Sequence, residues 1–341
     1  MSAPEVLLLD GSMGHELKVR GDSASFATAM HNNLRRPELI TAVHTEYVAA
    51  GCDVLTTNTF TLTEHALATE GLTADALPTL LHAACRCASA AAATATGGRK
   101  VRVAGCLPPL RHCYLPELVG SRGEMRAQYD RIVSELAPRV DMFIAETLCH
   151  SSEALAALEA TQSVGKPTLL SLTLHDDVSA SAGTPPTLRG GESIAQFVNE
   201  LIKSGAALPN TLLHNCCAPS VITRALTLQP KLPAAIERCG GYANGFKTTT
   251  SEWLYKSGAA QQGCSPMRHQ FNCSVCLPSE LEAFDTNGLM TPAAYCKHAV
   301  HWVGAGGSII GGCCGVGPKH MLEVERKLRG FSLEDRRESE V

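Results

Sequence analysis

The sequence predicts an α/β protein, a single-domain (β/α)8 TIM-type barrel with loop insertions, on three observations. Short apolar segments alternate eight times with longer helical stretches, no shift of composition marks a linker, and polar residues fall where the apolar segments end. The strand candidates are Val6–Leu9, Val54–Thr57, Val101–Ala104, Met142–Ala145, Thr168–Leu172, Thr211–Leu213, Ala234–Ile236 and Ser308–Ile310. Among the helical stretches, Pro37–Ala50 places Leu39, Val43 and Val48 near the helical period, and Pro78–Ala95 is a second. Asp10 follows the first strand, Asn58 the second, Glu146 the fourth, Cys216 the sixth, and Cys313 with Cys314 the eighth. In a barrel those ends ring one mouth, so Asp10 and Cys314 can share a pocket despite lying near opposite ends of the chain. A doubly wound open sheet uses the same alternation, but Asp10-Gly11-Ser12-Met13-Gly14 lacks the spacing of its dinucleotide-binding glycine fingerprint. The barrel is expected over residues 1–330, with a charged tail at 331–341.

Composition narrows the function. The chain has 341 residues, 45% of them hydrophobic, enough for a substantial core, and α/β barrels use this much chain as one unit. A net charge of −4 offers no broad attraction to nucleic acid or to an anionic membrane. Met1–Leu9 shows no basic segment followed by a long apolar core, and no run approaches the length of a membrane span. Small-molecule chemistry in a reduced, cytoplasmic setting is therefore expected. The 15 cysteines fit that setting as free thiols, and Cys52, Cys85, Cys87, Cys106 and Cys149 sit among apolar or small residues as filler.

The remaining thiols are patterned. Gly311-Gly312-Cys313-Cys314-Gly315 closes the apolar run of the eighth strand, and its glycines allow a turn that brings both sulfurs to one ion. A third thiol, Cys216, leaves the sixth strand in His214-Asn215-Cys216-Cys217. Three thiolates with one open position is the arrangement of a catalytic zinc. Cys217 should face away from Cys216 if the strand stays extended. A second group, Cys264, His269, Cys273 and Cys276, includes the CxxC spacing of half a zinc knuckle and is either a structural metal site or a set of unpaired loop thiols.

These residues resemble the zinc-dependent homocysteine S-methyltransferases, the group of S-methylmethionine- and betaine-dependent enzymes. The resemblance spans roughly residues 5 to 325. It is carried by Asp10 to Gly14, Thr57-Asn58-Thr59-Phe60, Gly105-Cys106-Leu107-Pro108-Pro109, Glu146-Thr147-Leu148, Asn215-Cys216, Tyr242-Ala243-Asn244, and Gly311 to Gly315 followed by Pro318 and His320. It implies a (β/α)8 barrel in which Cys216, Cys313 and Cys314 hold Zn2+ and the homocysteine thiolate fills the fourth position. A free thiol is mostly protonated at neutral pH, and forming its thiolate costs roughly 2 kcal/mol, which explains the need for a metal.

By the same resemblance, Asp10 and Glu146 would hold the homocysteine ammonium, while Gly11, Ser12 and Met13 would offer backbone N–H groups to its carboxylate. Asn215 would orient the neighbouring ligand or touch substrate, and Asn58 and Asn244 would line the donor side. The partners are homocysteine and a small methyl donor. The short charged tail favours the S-methylmethionine- or S-adenosylmethionine-dependent type, as a monomer, over the betaine-dependent relatives with their C-terminal arm. Folate and cobalamin are disfavoured, because methionine synthases carry further domains. Two readings compete: a noncatalytic zinc-binding barrel, and a hydrolase with zinc-bound water, for which His or carboxylate ligands near Cys313 would be usual.

Overall fold

The computed structural model describes residues 5–22, 28–176, 180–181, 183–247, 250 and 283–330. Eight parallel strands form one sheet: β1 Leu7–Leu8, β2 Val54–Thr56, β3 Arg102–Leu107, β4 Met142–Leu148, β5 Thr168–Thr173, β6 Thr211–Asn215, β7 Arg238–Tyr242 and β8 Ile309–Ile310. Each strand from β2 to β8 pairs with the next, and β8 pairs with β1. A parallel bridge from Leu9 to Val54, with the Asp10 N–H donating to the Val54 carbonyl at 3.1 Å, brings β1 against β2 and closes the barrel. The longer helices outside it are α1 Met13–Val19, α2 Pro37–Ala49, α3 Leu77–Ala92, α4 Arg122–Leu136, α5 Ser151–Gln162, α6 Ile194–Lys203, α7 Pro219–Thr227, α8 Pro292–Gly304 and α9 Pro318–Arg329. Barrel elements thus run from Leu7 to Arg329.

Local signals account for the helices. In α6 the buried residues Ile194, Phe197, Val198 and Leu201 follow the helical stripe, and Ser193 with Gln196 closes a reciprocal cap at its start. Ser121 and Glu124 do the same for α4, and Pro stands in the first turn of α2, α3, α7, α8 and α9. The predicted helices Pro37–Ala50 and Pro78–Ala95 match α2 and α3 to within a few residues.

Two apolar layers result. Outward strand residues such as Leu8, Leu55 and Phe143 pack under the helices, whereas Leu9, Val54, Ala104, Cys106, Met142, Ile144, Leu169, Leu213, Tyr242 and Ile309 fill the barrel. The period of two then positions the mouth: Glu146 continues the inward row Met142, Ile144, and Asn215 continues Leu213. Glu146 therefore belongs to β4 itself and does not follow it.

The predicted seventh strand is corrected. Ala234–Ile236 is not a strand, and β7 begins at Arg238. Its centre is Gly240-Gly241, which weakens any strand signal in the sequence. Packing explains the glycines: a Cβ at Gly240 would lie 1.8 Å from the Ile309 carbonyl oxygen of β8. Among the described residues no helix is long and apolar enough to cross a membrane. The Cys264, His269, Cys273 and Cys276 group and the expected tail lie outside the described residues.

Because the clash at Gly240 is with backbone, Gly240→Ala is expected to lower stability by about 3 kcal/mol or to prevent folding. Urea unfolding followed by circular dichroism measures it; an unchanged midpoint would show that β7 and β8 are not held this closely.

Candidate metal centre and substrate site

Cys216 follows β6 and adopts a left-handed φ of 55°, a conformation that side-chain-bearing residues seldom take. It is held there by its surroundings. The Cys216 N–H donates to the Tyr242 carbonyl, and its own carbonyl accepts from the Thr173 and Thr250 hydroxyls, each at 3.4 Å. On the other side, β8 leads into Gly311-Gly312, where a Cβ at Gly312 would lie 2.2 Å from Val316 Cγ1. Only glycine passes that point, and the chain then turns to present Cys313 and Cys314.

The three sulfurs meet. Cys313 Sγ is 3.0 Å from Cys216 Sγ, Cys216 and Cys314 are 3.9 Å apart, and all three lie within 4.8 Å of one another. Sulfurs about 2.3 Å from a tetrahedral zinc stand about 3.8 Å apart, so the trio fits one face of such a site. Among the described residues no fourth His, Cys, Asp or Glu joins the group. Hydrogen bonds from Cys216 and Cys313 hold Cys314 well below the ordinary thiol range, so the cluster already favours a thiolate. Cys217 is buried in the outer core and takes no part; the strand does not stay extended here, and it is the left-handed turn at Cys216 that sends the two neighbouring thiols to different sides.

Two carboxyls lie beside this cluster, Asp10 buried and Glu146 half-buried. Glu146 accepts from the Cys106 thiol at 3.1 Å and from the Tyr242 hydroxyl at 3.0 Å, and burial raises its pKa to about 7. Asp10 accepts the Thr56 N–H at 2.8 Å, and burial, opposed by that bond and reinforced by the charge of Glu146, raises it to about 8. Two acids held partly neutral against each other form a site that a cation would stabilise. The fully buried His44 places Nδ1 3.9 Å from Asp10.

The amides divide. Asn215 is fully buried, accepting at Oδ1 from the Thr147 N–H (2.9 Å) and the Ser171 hydroxyl (2.8 Å) while donating to Thr147 Oγ1 at 2.8 Å. Its geometry suits the orienting role, since Thr147, at φ 61°, is the other non-glycine residue in the left-handed region among the described residues. Asn58 pairs with Asn33 at 2.9 Å. Asn244 donates to Thr250, and its buried Oδ1 has no partner among the described residues. In the Gly11-Ser12-Met13 turn, the Ser12 N–H is already committed to the Val316 carbonyl at 2.9 Å and its hydroxyl caps α1, so any carboxylate contact there falls to Gly11 and Met13.

Sequence reasoning missed three members of this site. Cys106, read as filler, bonds to Glu146; Tyr242 points inward once β7 is placed correctly; and Tyr114 lies with its hydroxyl 2.9 Å from Cys216 Sγ. The inward alternation of Ala104 and Cys106 was the available signal for the first.

Fold and site together define a (β/α)8-barrel enzyme whose mouth joins a thiol cluster to two carboxyls. A family model described as homocysteine S-methyltransferase matches residues 7–328, and the chain belongs to that family. Betaine–homocysteine S-methyltransferase 1 of Danio rerio is 26% identical over 341 residues, spanning 97% of this chain and 76% of its own. The protein of the same name from Xenopus tropicalis is 24% identical, over 97% and 75%. The metallated form of the Escherichia coli homocysteine methyltransferase MmuM shares the fold, with a TM-score of 0.71, 22% identity and coverage of 95% of this chain and 96% of that one.

The raised pKa of Glu146 has a definite sign. Below about pH 4.5 the group is protonated whether folded or unfolded; as pH rises towards about 7 only the unfolded chain ionises, so stability is lost across that window. In the metal-free, substrate-free protein, Glu146→Gln should therefore gain stability relative to wild type by roughly 2 kcal/mol between pH 5 and pH 8. Urea midpoints at both pH values test this, and an equal difference at the two would place Glu146 in a solvated setting.

Proposed function

We propose that this enzyme moves a methyl group from a sulfonium donor, S-methylmethionine or S-adenosylmethionine, to the sulfur of homocysteine, forming methionine, with Zn2+ held by Cys216, Cys313 and Cys314. The observation that carries the reading is the convergence of these sulfurs, within 4.8 Å of one another, beside the carboxyls of Asp10 and Glu146. Zinc bound there supplies the Lewis acidity that lets the substrate thiol lose its proton at neutral pH.

The chain's own residues do the rest. Asp10 and Glu146 take the substrate ammonium, whose charge favours their ionised forms and turns their burial from a cost into an attraction. The Cys106 thiol and Tyr242 hydroxyl keep Glu146 aimed at that position. Asn215 fixes the Thr147 and Cys216 turns, so the ammonium and sulfur ends of the substrate are held in one geometry. The substrate sulfur lone pair then attacks the methyl carbon, and the C–S bond electrons return to the donor sulfur, which leaves as a neutral thioether. The acidic side chains and thiols of the mouth favour a cationic donor. Asn58 and Asn244 line its approach.

A sulfonium is the better donor on chemical grounds, since a thioether leaves more readily than a tertiary amine. A betaine-dependent reaction is the second reading, favoured by the names of the two curated relatives.

Reduced, zinc-loaded protein offered homocysteine with S-methylmethionine, S-adenosylmethionine or betaine separately should form methionine with a sulfonium donor. Turnover with betaine alone selects the second reading. No methionine from any donor, with one zinc bound, leaves a noncatalytic metal barrel. Cys313→Ser should lose both zinc retention and at least about 100-fold in turnover, as expected when one of three metal ligands is removed; full activity in its metal-free form would reject the mechanism.

A further inference from the structure

Three loops that the site has not yet accounted for converge on Cys216. Tyr114, in the loop after β3, places its hydroxyl 2.9 Å from Cys216 Sγ. The guanidinium of Arg189, in the loop before α6, stacks on the Tyr114 ring at 4.8 Å from its centroid. Arg189 is in turn paired with Asp176, just past β5, at 3.1 Å, with both side chains almost fully buried.

Asp176 also reaches the backbone around Cys216. Its Oδ1 accepts the Ala218 N–H at 2.7 Å, and its Oδ2 accepts the N–H of Thr250, whose hydroxyl contacts the Cys216 carbonyl. One buried ion pair thus steadies the ligand turn from the backbone side and, through the Tyr114 ring, from the sulfur side. A buried pair of this kind is a weak source of stability but a strong constraint on geometry.

Resting on the zinc reading above, we propose that Tyr114 is a positioning residue of the metal centre: its hydroxyl, held by the Asp176–Arg189 pair, donates to the Cys216 sulfur, fixing that ligand's orientation and drawing off part of its charge. A phenol is protonated at neutral pH and a metal-bound thiolate can only accept, so the direction of the bond is set by chemistry. The need is electrostatic. Three thiolates around a divalent ion carry a net negative charge, and the substrate sulfur adds another, all in a mouth that already holds Asp10 and Glu146. Hydrogen bonds to ligand atoms are the usual means by which a protein tempers such a centre.

Tyr114→Phe keeps the ring and its contact with Arg189 and removes only the hydroxyl. The test uses the full chain, reduced and loaded with Co2+, whose thiolate-to-cobalt absorption in the near ultraviolet reports the electron density on the sulfurs. In Tyr114→Phe that band should move to longer wavelength, because an undamped thiolate gives up its electron more easily. Zinc should also pass to a competing chelator at about tenfold lower chelator concentration. Thermal unfolding of the metal-free variant should match wild type, which separates this role from a merely structural one.

A Tyr114→Phe band at the wild-type wavelength, with wild-type resistance to the chelator, overturns the proposal while leaving the metal centre in place. Absence of any thiolate-to-cobalt band in the wild type, or its survival intact in Cys313→Ser, overturns the zinc reading on which the proposal rests.

Discussion

The close approach of β8 to its two neighbours governs the rest of the molecule. β8 is only two residues long, yet it pairs with both β1 and β7, and a single methyl group at Gly240 would collide with its backbone. The pairing of β8 with β1 is what brings Asp10, at the end of β1, to the same mouth as Cys313 and Cys314, just past β8. Helix packing stabilises the layers around it, but no amount of outer packing would set the spacing of groups at the mouth. Gly240 is there because backbone meets backbone, whereas Gly311 and Gly312 make room for the Leu9 and Val316 side chains.

Inside the mouth the governing quantity is the low polarity of the surroundings. Asp10 and Glu146 are both shifted upward chiefly by burial, and each raises the other's cost of ionising or that of its neighbours. Among the three thiols the hydrogen bonds split the outcome, holding Cys314 below the ordinary thiol range while Cys216 and Cys313 are pushed above it. The two halves of the site thus differ in kind, one made of carboxyls raised by burial and one of thiols sharing hydrogen bonds. Glu146 stands on β4 itself, while Asp10 and the three cysteines stand on the short turns that leave β1, β6 and β8.

The sequence made the architecture readable because strand length, helix period and the polar residues at strand ends agreed with one another. Its thiol pattern was equally readable, since paired cysteines between glycines have few structural uses. The seventh strand was hidden because its register is enforced by a backbone contact with β8, a tertiary fact that leaves only two glycines in the sequence. Cys106 was hidden because a buried free cysteine is ordinarily filler, and its bond to Glu146 depends on which face of β3 looks inward. Tyr114 had no local signal at all: its loop carries no periodicity, and its place above Cys216 is fixed by Arg189 and Asp176 from a different part of the chain.

Asn215 ties together the two left-handed residues of the mouth, Thr147 beside the carboxyl of Glu146 and Cys216 in the thiol cluster. The amide therefore acts as a gauge block: it sets the distance between the pole proposed for the amino group and the pole proposed for sulfur. An amino thiol whose carbon chain is one methylene shorter would reach one pole and fall short of the other. Discrimination by chain length would then rest on an amide whose bonds run to Thr147 and Ser171.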